Sequence, residues 1–175
     1  RWRRVDWVVL EVTSHSLDQN RLWGVPIKAA VMTNLTQDHI DYHKTMDNYA
    51  AAKAKLFQKG AEYTVLNADD EWHKYYDEIP VDQKMSYGES KDAQARISAL
   101  KLSPKGSKFT VTLDHTVSLD FRTSLVGEFN VYNATAAITL CYRLYIDKSA
   151  IIQGVKKMES VPGRMEVIDE DLPYS

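Results

Sequence analysis

The sequence predicts an α/β domain in which helices flank a mostly parallel β-sheet that carries a small antiparallel meander. From Asp6 to Tyr76, apolar runs alternate with polar and helical stretches, the pattern of parallel strands covered on both faces. Between Ala95 and Leu125, apolar and polar residues alternate one by one, which is typical of half-exposed antiparallel strands. Helical periodicity then returns and continues to Met158.

Three apolar runs in the first part of the chain are the predicted parallel strands: Asp6–Val12 (DWVVLEV), Ala29–Thr33 (AAVMT) and Tyr63–Asn67 (YTVLN). The polar stretch between the first two is long enough for the crossover connection that parallel neighbours require. A short helix is expected over residues 70–76, directly after the third strand. These alternations favour a parallel sheet layered with helices.

The second part of the chain supplies the meander and two long helices. Pro104, Gly106 and Asp114 stand at the breaks between the alternating segments, where turns are expected. The remaining predicted elements are the helices Asn130–Tyr145 and Lys148–Met158 and a last strand, Arg164–Ile168, after the breaker pair Pro162-Gly163.

The chain reads as one domain that belongs to something longer. It contains no internal repeat or convincing linker, so residues 1–170 are expected to form the domain and 171–175 to begin a linker or strand toward a further one. It also opens at Arg1, without a methionine, immediately before a strand-like run. We therefore expect further domains before and after these residues in the complete protein.

Composition excludes several function classes. The 22 basic and 24 acidic residues among 175 give a net charge of −2, which does not favour nucleic acid or an anionic membrane. No apolar run approaches the roughly 20 residues that span a bilayer. The single cysteine, Cys141, lies in an apolar helical stretch and is expected to be a buried thiol, consistent with a reducing cytoplasm. A monomer is expected.

A helix that ends near Gln58, with Asp47 and Asn48 as capping residues, carries a misplaced cation. One of its faces has the spacing of a buried stripe: Met46, Tyr49, Ala50, Lys53, Leu56 and Phe57. Lys53 lies in the middle of that stripe, whereas Lys55 and Lys59 fall on other faces and are expected to be solvated. Either Lys53 extends its ammonium to water along its own stem, or it is deprotonated and chemically modified or catalytic.

Carboxylate and histidine residues follow the first two predicted strands. Glu11 ends the first strand, and the loop after the second contains Asn34 and the run DHIDYH, with His39. Ligands gather at the carboxyl ends of parallel strands, so these groups are expected to be neighbours. They suit Mg²⁺, whereas zinc is disfavoured because this region has no cysteine and no HExxH pattern. The alternative is that these polar residues cap turns and helix starts.

A phosphate-binding loop of the form G-x-x-x-x-G-K-[ST] is missing, since none of the seven glycines begins one. If this domain binds ATP, its phosphate cradle is therefore expected outside these residues. We do not expect the 175-residue chain to hydrolyse ATP by itself.

Five motifs occur in a fixed order along the chain: EVTSHSLDQNR (11–21), TNLTQDHIDYH (33–43), NYAAAKAKLF (48–57), GEFNVYNATAA (127–137) and VPGRMEV (161–167). Together they resemble the central ATPase domain of the Mur ligases, whose fold is similar to that of P-loop NTPases. The resemblance implies an ATP-dependent amide ligase of peptidoglycan synthesis. ATP would phosphorylate the carboxylate of UDP-N-acetylmuramoyl-L-Ala-D-Glu, and the amine of meso-diaminopimelate or L-lysine would attack the acyl phosphate.

The resemblance also implies roles for individual residues. The family lysine that matches Lys53 is carbamylated, which turns a cation into an oxygen ligand for Mg²⁺. Glu11 and His39 would be the other metal ligands, so these three are the expected catalytic residues. The expected contacts of the UDP-muramyl substrate are Thr13, Gln19 and Arg21, and those of the nucleotide are Asn34, Asn130, Asn133 and Arg164.

The chain departs from the family pattern at three motif positions. Thr13 stands where serine is commoner, Lys44 replaces a usual glycine, and Phe129 stands where many relatives have histidine. Three other functions remain open on the residues. They are a folylpolyglutamate synthetase-like amide ligase, a metal-dependent hydrolase built on DHIDYH, and a binding domain without catalysis.

Overall fold

A six-stranded sheet with strand order β1-β2-β3-β4-β5-β6 organises the chain. The computed structural model describes residues 5–37 and 40–158. The strands are β1 Ala29–Met32, β2 Tyr63–Asn67, β3 Gln83–Gly88, β4 Ala95–Ser103, β5 Gly106–Leu113 and β6 Val117–Thr123. The helices are α1 Ser14–Asp18, α2 Ile40–His43, α3 Met46–Ala54, α4 His73–Asp77, α5 Glu128–Arg143 and α6 Lys148–Lys156, with a 3-10 turn at Phe57–Lys59.

The first half of the sheet is parallel. β1 pairs with β2, β2 pairs with β3, and β3 pairs with the start of β4, all in parallel. Every residue of β2 is buried, as expected for a strand with neighbours on both edges and cover on both faces. The predicted parallel α/β sheet is therefore confirmed.

The second half is the predicted antiparallel meander. β4 pairs with β5 and β5 with β6, and the register of β4 shifts between Ser98 and Lys101. Buried and exposed residues alternate along β5, because one face covers the core and the other meets solvent. Because β4 also continues the parallel half, the meander extends the main sheet at its edge.

Helices α5 and α6 cover one face of the sheet and close the larger of two apolar cores. That core joins Val65 and Tyr87 of the parallel half to Val111 and Phe121 of the meander and to Ile138 of α5. A second core, centred on Ala50, Phe57 and Tyr76, joins α3 and α4 to β1 and β2. Burial of these side chains holds the helices on the sheet.

The predicted strand Asp6–Val12 is wrong. Its residues have no regular structure, and the side chain of Val9 is 96% exposed. A parallel strand needs a neighbour to satisfy its N–H and C=O groups, and within the described ranges no strand pairs with this segment. The run is apolar in composition, but no described strand forms a backbone hydrogen-bond ladder with it.

One strand was absent from the prediction, and several bounds differ. β3 carries Gln83, Lys84 and Ser86, so its apolar pattern is weak, yet it lies between β2 and β4. The other strand bounds agree within two residues, whereas α4 begins three residues later than expected. The predicted last strand, Arg164–Ile168, lies outside the described residues.

Thr45, rather than Asp47 or Asn48, caps α3. Its hydroxyl accepts a hydrogen bond from the backbone N–H of Asn48, at 3.2 Å. Asp47 instead lies in the first turn, and the Asn48 amide donates to the carbonyl of His43 at 3.0 Å. Threonine is also among the favoured cap residues, and Thr45 lies before Asp47 and Asn48 in the chain.

Within residues 5–37 and 40–158, no helix has both the length and the apolar character that a membrane span requires.

Glycines 88 and 154 are expected to respond to alanine in opposite directions. Gly88 has a φ of +149°, and an added Cβ would overlap the Asp69 carboxylate, so Gly88→Ala should lower the free energy of unfolding by about 1–3 kcal/mol. Gly154 lies in α6 with open space around its Cα, so Gly154→Ala should raise it by about 0.5–1 kcal/mol. Urea denaturation of both variants measures the difference. Equal effects would contradict the assigned conformations.

Candidate active site

Three short helices, α1, α2 and α3, form a cluster that contains most of the residues predicted to bind substrate. The Thr13 hydroxyl accepts a hydrogen bond from the Ser16 N–H and caps α1. Gln19 is the C-terminal cap of the same helix, and Arg21 is exposed in the turn that follows. The predicted substrate residues therefore lie at the two ends of α1.

Side-chain contacts fasten α1 to the other two helices. The Oγ of Ser14 lies 2.9 Å from Nε2 of the buried His43 at the end of α2. The Tyr42 hydroxyl donates to the carboxylate of Asp18 at 2.8 Å. Lys55, just after α3, forms an ion pair with the same carboxylate at 2.7 Å. Lys55 was expected to be solvated, but in the structure it joins α3 to α1.

Lys53 is half-buried on α3, as the stripe pattern predicted. Its Nζ lies 5.1 Å from the centre of the Tyr49 ring, a cation–π contact that stabilises a charged ammonium. Tyr49 in turn stacks on His43, with ring centres 5.2 Å apart and an angle of 24°. A chain of contacts thus connects Ser14 of α1, through His43 and Tyr49, to Lys53.

Of the three predicted metal ligands, the structure describes Glu11 and Lys53. Glu11 is exposed in the irregular segment before α1, and Asn34 is exposed in the loop after β1. Asp38 and His39 lie outside the described residues. Among residues 5–37 and 40–158, no group of three His, Cys, Asp or Glu side chains could hold a metal ion. The metal site therefore stays a prediction.

Lys44 keeps the turn that a glycine would form. It has a φ of +70°, in the left-handed region that glycine adopts most easily. Its ammonium donates to the carbonyl of Asp41 at 2.7 Å. The turn before α3 is thus preserved, with some backbone strain at Lys44.

Three polar residues at the carboxyl end of β2, in the run NADD, hold the neighbouring loops, a role that the sequence did not predict. The Asn67 amide donates to the carbonyl of Thr33 at 2.8 Å, and the Asp70 carboxylate accepts from the N–H of Leu35 at 2.8 Å. Both bonds fix the loop that leads from β1 toward α2. The detectable signal was the presence of three such side chains at the carboxyl end of a strand.

Asp69 holds two other segments of the chain. Its carboxylate accepts hydrogen bonds from the backbone N–H groups of Glu89 and Ser90, at 2.6 and 3.0 Å, and from the Tyr132 hydroxyl at 2.8 Å. Burial and the bond to Asp69 raise the pKa of Tyr132 above its usual value, so its hydroxyl stays a donor. Asp69 thereby ties the turn after β3 to the start of α5.

A mostly apolar cleft of about 330 Å³ lies between α5 and α6. Asn130 and Asn133 line it together with apolar side chains that include Leu125, Ile138 and Ile151. Neither asparagine caps the helix, because Gly127 occupies the cap position. The Asn130 amide donates to the carbonyl of Val126 at 2.8 Å, whereas Asn133 is exposed. Both predicted nucleotide residues therefore lie in one cleft.

The model of the Mur ligase middle domain matches residues 2–141, which is most of the chain. The chain belongs to the Mur ligase family. The matched residues include the α1–α3 cluster and most of α5.

Two relatives illustrate the similarity. The chain is 38% identical over 173 residues to the UDP-N-acetylmuramoyl-L-alanyl-D-glutamate--2,6-diaminopimelate ligase of Syntrophomonas wolfei subsp. wolfei, which covers 97% of the chain and 35% of the relative. It is 38% identical over 172 residues to UDP-N-acetylmuramyl-tripeptide synthetase 2 of Oceanobacillus iheyensis, which covers 94% and 35%. The chain thus spans about a third of the length of these Mur ligases.

Solved structures agree on the fold. A UDP-N-acetylmuramoyl-L-alanyl-D-glutamate--2,6-diaminopimelate ligase superposes with a TM-score of 0.82 and 34% identity, covering 91% of this chain and 34% of that one. MurF from Acinetobacter baumannii superposes with a TM-score of 0.73 at 21% identity, covering 82% and 32%, and supports the fold alone. The six-stranded mixed sheet is therefore the Mur ligase middle-domain architecture.

The Asp18 carboxylate is expected to contribute acid-sensitive stability to the helix cluster. Its pKa lies below the ordinary value because Lys55 and then Tyr42 donate hydrogen bonds to it. A lowered folded pKa stabilises the protein above the unfolded pKa of about 3.9, and this stabilisation is lost as pH falls through the folded pKa. Asp18→Asn should therefore flatten the pH dependence of stability below about pH 4.

Urea midpoints measured from neutral to strongly acidic pH test this expectation. Asp82→Asn is the matched control, because Asp82 is exposed and makes none of these hydrogen bonds. An Asp18→Asn profile that is parallel to the wild-type profile at every pH would contradict the assignment.

Proposed function

We propose that this chain is the central domain of an ATP-dependent amide ligase that adds the third amino acid to UDP-N-acetylmuramoyl-L-Ala-D-Glu in peptidoglycan synthesis. The amino acid is meso-diaminopimelate or L-lysine, and the relatives compared above include a 2,6-diaminopimelate ligase. The observation that carries the proposal is the helix cluster, in which the half-buried Lys53 shares one set of contacts with α1, the helix between Thr13 and Gln19.

The ends of α1 present the groups that would hold the UDP-muramyl substrate. Thr13 and Gln19 offer a hydroxyl and an amide, and the exposed Arg21 offers a guanidinium for an anionic group of the substrate. Because the Ser14–His43 and Asp18–Lys55 contacts fix α1 against α2 and α3, these groups are held in place before substrate arrives.

The donor chemistry of the proposed ligands fits a hard divalent cation. Glu11 supplies a carboxylate, His39 an imidazole and a carbamylated Lys53 a further pair of oxygens, so these three would hold Mg²⁺. The bound ion would neutralise charge on the transferred phosphoryl group. Carbamylation also removes the charge of the half-buried ammonium, which contacts the Tyr49 ring.

The cleft between α5 and α6 fits a purine base. Its apolar walls suit the faces of a planar ring, and the amides of Asn130 and Asn133 suit the polar edge of that ring. Asn34 and Arg164 would contact the same nucleotide. Asp69, through Tyr132, would hold the start of α5 at a fixed distance from the loop after β1.

The complete reaction needs groups that these 175 residues do not provide. The chain contains no G-x-x-x-x-G-K-[ST] motif, and the proposal assigns the ATP phosphates to sequence elsewhere in the gene-encoded protein. Domains for the uridine nucleotide and for the incoming amino acid would be the remaining parts. We place this protein in the cytoplasm, acting as a monomer.

Lys53→Ala is expected to abolish tripeptide formation by the gene-encoded protein that contains this chain. Loss of a metal ligand should reduce the rate by about 100-fold or more. The assay supplies ATP, Mg²⁺ and UDP-N-acetylmuramoyl-L-Ala-D-Glu, with either meso-diaminopimelate or L-lysine. Lys59→Ala, an exposed lysine beyond the same helix, is the control and should be fully active.

Measurement of the intact mass in bicarbonate tests the carbamylation of Lys53 separately from the activity. The wild-type protein should carry the added mass of one carbon dioxide, and Lys53→Ala should not. An active Lys53→Ala enzyme contradicts the metal-ligand role. An inactive wild-type enzyme that instead extends a folate with glutamate contradicts the substrate.

Asn133→Ala is expected to weaken the enzyme's use of ATP. Loss of a hydrogen bond to the base should raise the KM for ATP roughly tenfold, with a smaller effect on kcat. Gln153→Ala, an exposed residue of α6 that does not line the cleft, is the control. Equal KM values for the Asn133 variant and the wild type would place the base elsewhere.

A further inference from the structure

Three cations stand side by side across the antiparallel part of the sheet. Lys101 of β4 is directly opposite Lys108 of β5, and Lys108 is directly opposite Arg122 of β6. Directly opposite side chains share one face of a sheet, with their Cβ atoms about 5 Å apart. Like charges in this arrangement repel each other and destabilise the sheet. This row therefore needs a counter-charge that the strands themselves do not supply.

The row borders a cleft with two more cations. The cleft has a volume of about 450 Å³ and is also lined by Lys105, from the turn between β4 and β5, and by Lys156, at the end of α6. Hydroxyl groups line the same space, among them those of Ser103 and Ser124. Among the described residues, no carboxylate lines it. Positive charge thus surrounds a volume of the size that small ligands occupy.

Three lysines elsewhere in the described chain form ion pairs with a carboxylate. Lys28, Lys55 and Lys84 each lie within 4.0 Å of a carboxylate, those of Glu62, Asp18 and Asp77.

Within the described residues, none of the five cations around the cleft forms such a pair. Asp120 is the acidic side chain one row from Arg122 on the same face, and its carboxylate accepts a hydrogen bond from Thr110 at 2.7 Å. An ordinary solvated surface would intersperse both signs of charge, as the rest of the chain does.

We propose that the cleft between the β4–β5 turn and the end of α6 binds a small polyanion that carries several phosphate groups. Five cations match the charge of a chain of phosphates, and their N–H groups match its acceptor oxygens. The volume fits a small molecule rather than a macromolecule. The cleft adjoins the one between α5 and α6, because Thr123 lines both, but it is lined by different charges.

Inorganic tripolyphosphate is the probe, and titration calorimetry on the 175-residue chain at low salt is the measurement. The double variant Lys108→Gln/Arg122→Gln should bind at least tenfold more weakly than the wild type. Lys74→Gln/Lys91→Gln removes the same charge from exposed lysines elsewhere and should change binding less than twofold. Equal weakening in the two double variants would show a nonspecific charge effect and overturn the proposal, as would no binding to the wild type.

Thermal unfolding provides a second readout that binding alone does not give. Without anion, the Lys108→Gln/Arg122→Gln variant should have a higher Tm than the control variant, because the repulsion within the row is gone. Tripolyphosphate should raise the Tm of the wild type and leave that of the row variant nearly unchanged. A row variant that is less stable than the control in plain buffer contradicts the proposal.

A parallel titration with ATP identifies the source of the phosphates. The proposed function places the ATP base in the cleft between α5 and α6 and the ATP phosphates elsewhere, so Asn133→Ala should weaken ATP and leave tripolyphosphate as tight as in the wild type. If the cationic cleft takes a free polyphosphate, the Lys108→Gln/Arg122→Gln variant should leave ATP binding unchanged. If the cleft takes a nucleotide, that variant should weaken ATP as well as tripolyphosphate.

Discussion

The carboxylate of Asp69 is the interaction on which the arrangement of the candidate site most depends. It accepts hydrogen bonds from two backbone N–H groups of the turn after β3 and from the hydroxyl of Tyr132 on α5. Asn67 and Asp70, on either side of it, hold the loop after β1. A single turn at the carboxyl end of β2 therefore sets the distance between the loop after β1 and helix α5. Charged acceptors make stronger hydrogen bonds than neutral ones, which suits a fixed junction.

The helix cluster and the cleft use different physical means to hold their residues. In the cluster, short helices are joined by polar and ionic contacts such as Asp18–Lys55 and Ser14–His43, and α3 also packs in the second core. In the cleft, two longer helices pack on the apolar core of the sheet. The cluster should therefore respond more to pH and salt than the cleft does, since exposed ion pairs are screened and apolar burial is not.

The sequence predicted the sheet and its helices well because their patterns are local. The alternation of β5 and the apolar run of β2 each indicate the correct strand, and the odd position of Lys53 is visible from helical spacing alone. β3 escaped detection because its burial comes from its neighbours rather than from its own composition. The prediction for Asp6–Val12 was wrong for the opposite reason. An apolar run forms a strand only where another strand pairs with its backbone N–H and C=O groups.

Long-range polar contacts were beyond the reach of sequence patterns. Nothing in the spacing of Asp69 and Tyr132 indicates that residues 63 positions apart share a hydrogen bond. The same holds for the row formed by Lys101, Lys108 and Arg122, which exists only once the register of three strands is fixed. By contrast, Asn130 and Asn133 lie on one helix, so their shared cleft follows from helical spacing.

The irregular segment before α1 has a practical consequence for handling the protein. Trp7, Val8, Val9 and Leu10 are each more than half exposed, and β1, at the outer edge of the sheet, has no partner on its far side among the described residues. Exposed apolar side chains beside an unpaired strand edge favour edge-to-edge association between copies of the chain. Self-association of the protein is therefore expected to increase with its concentration.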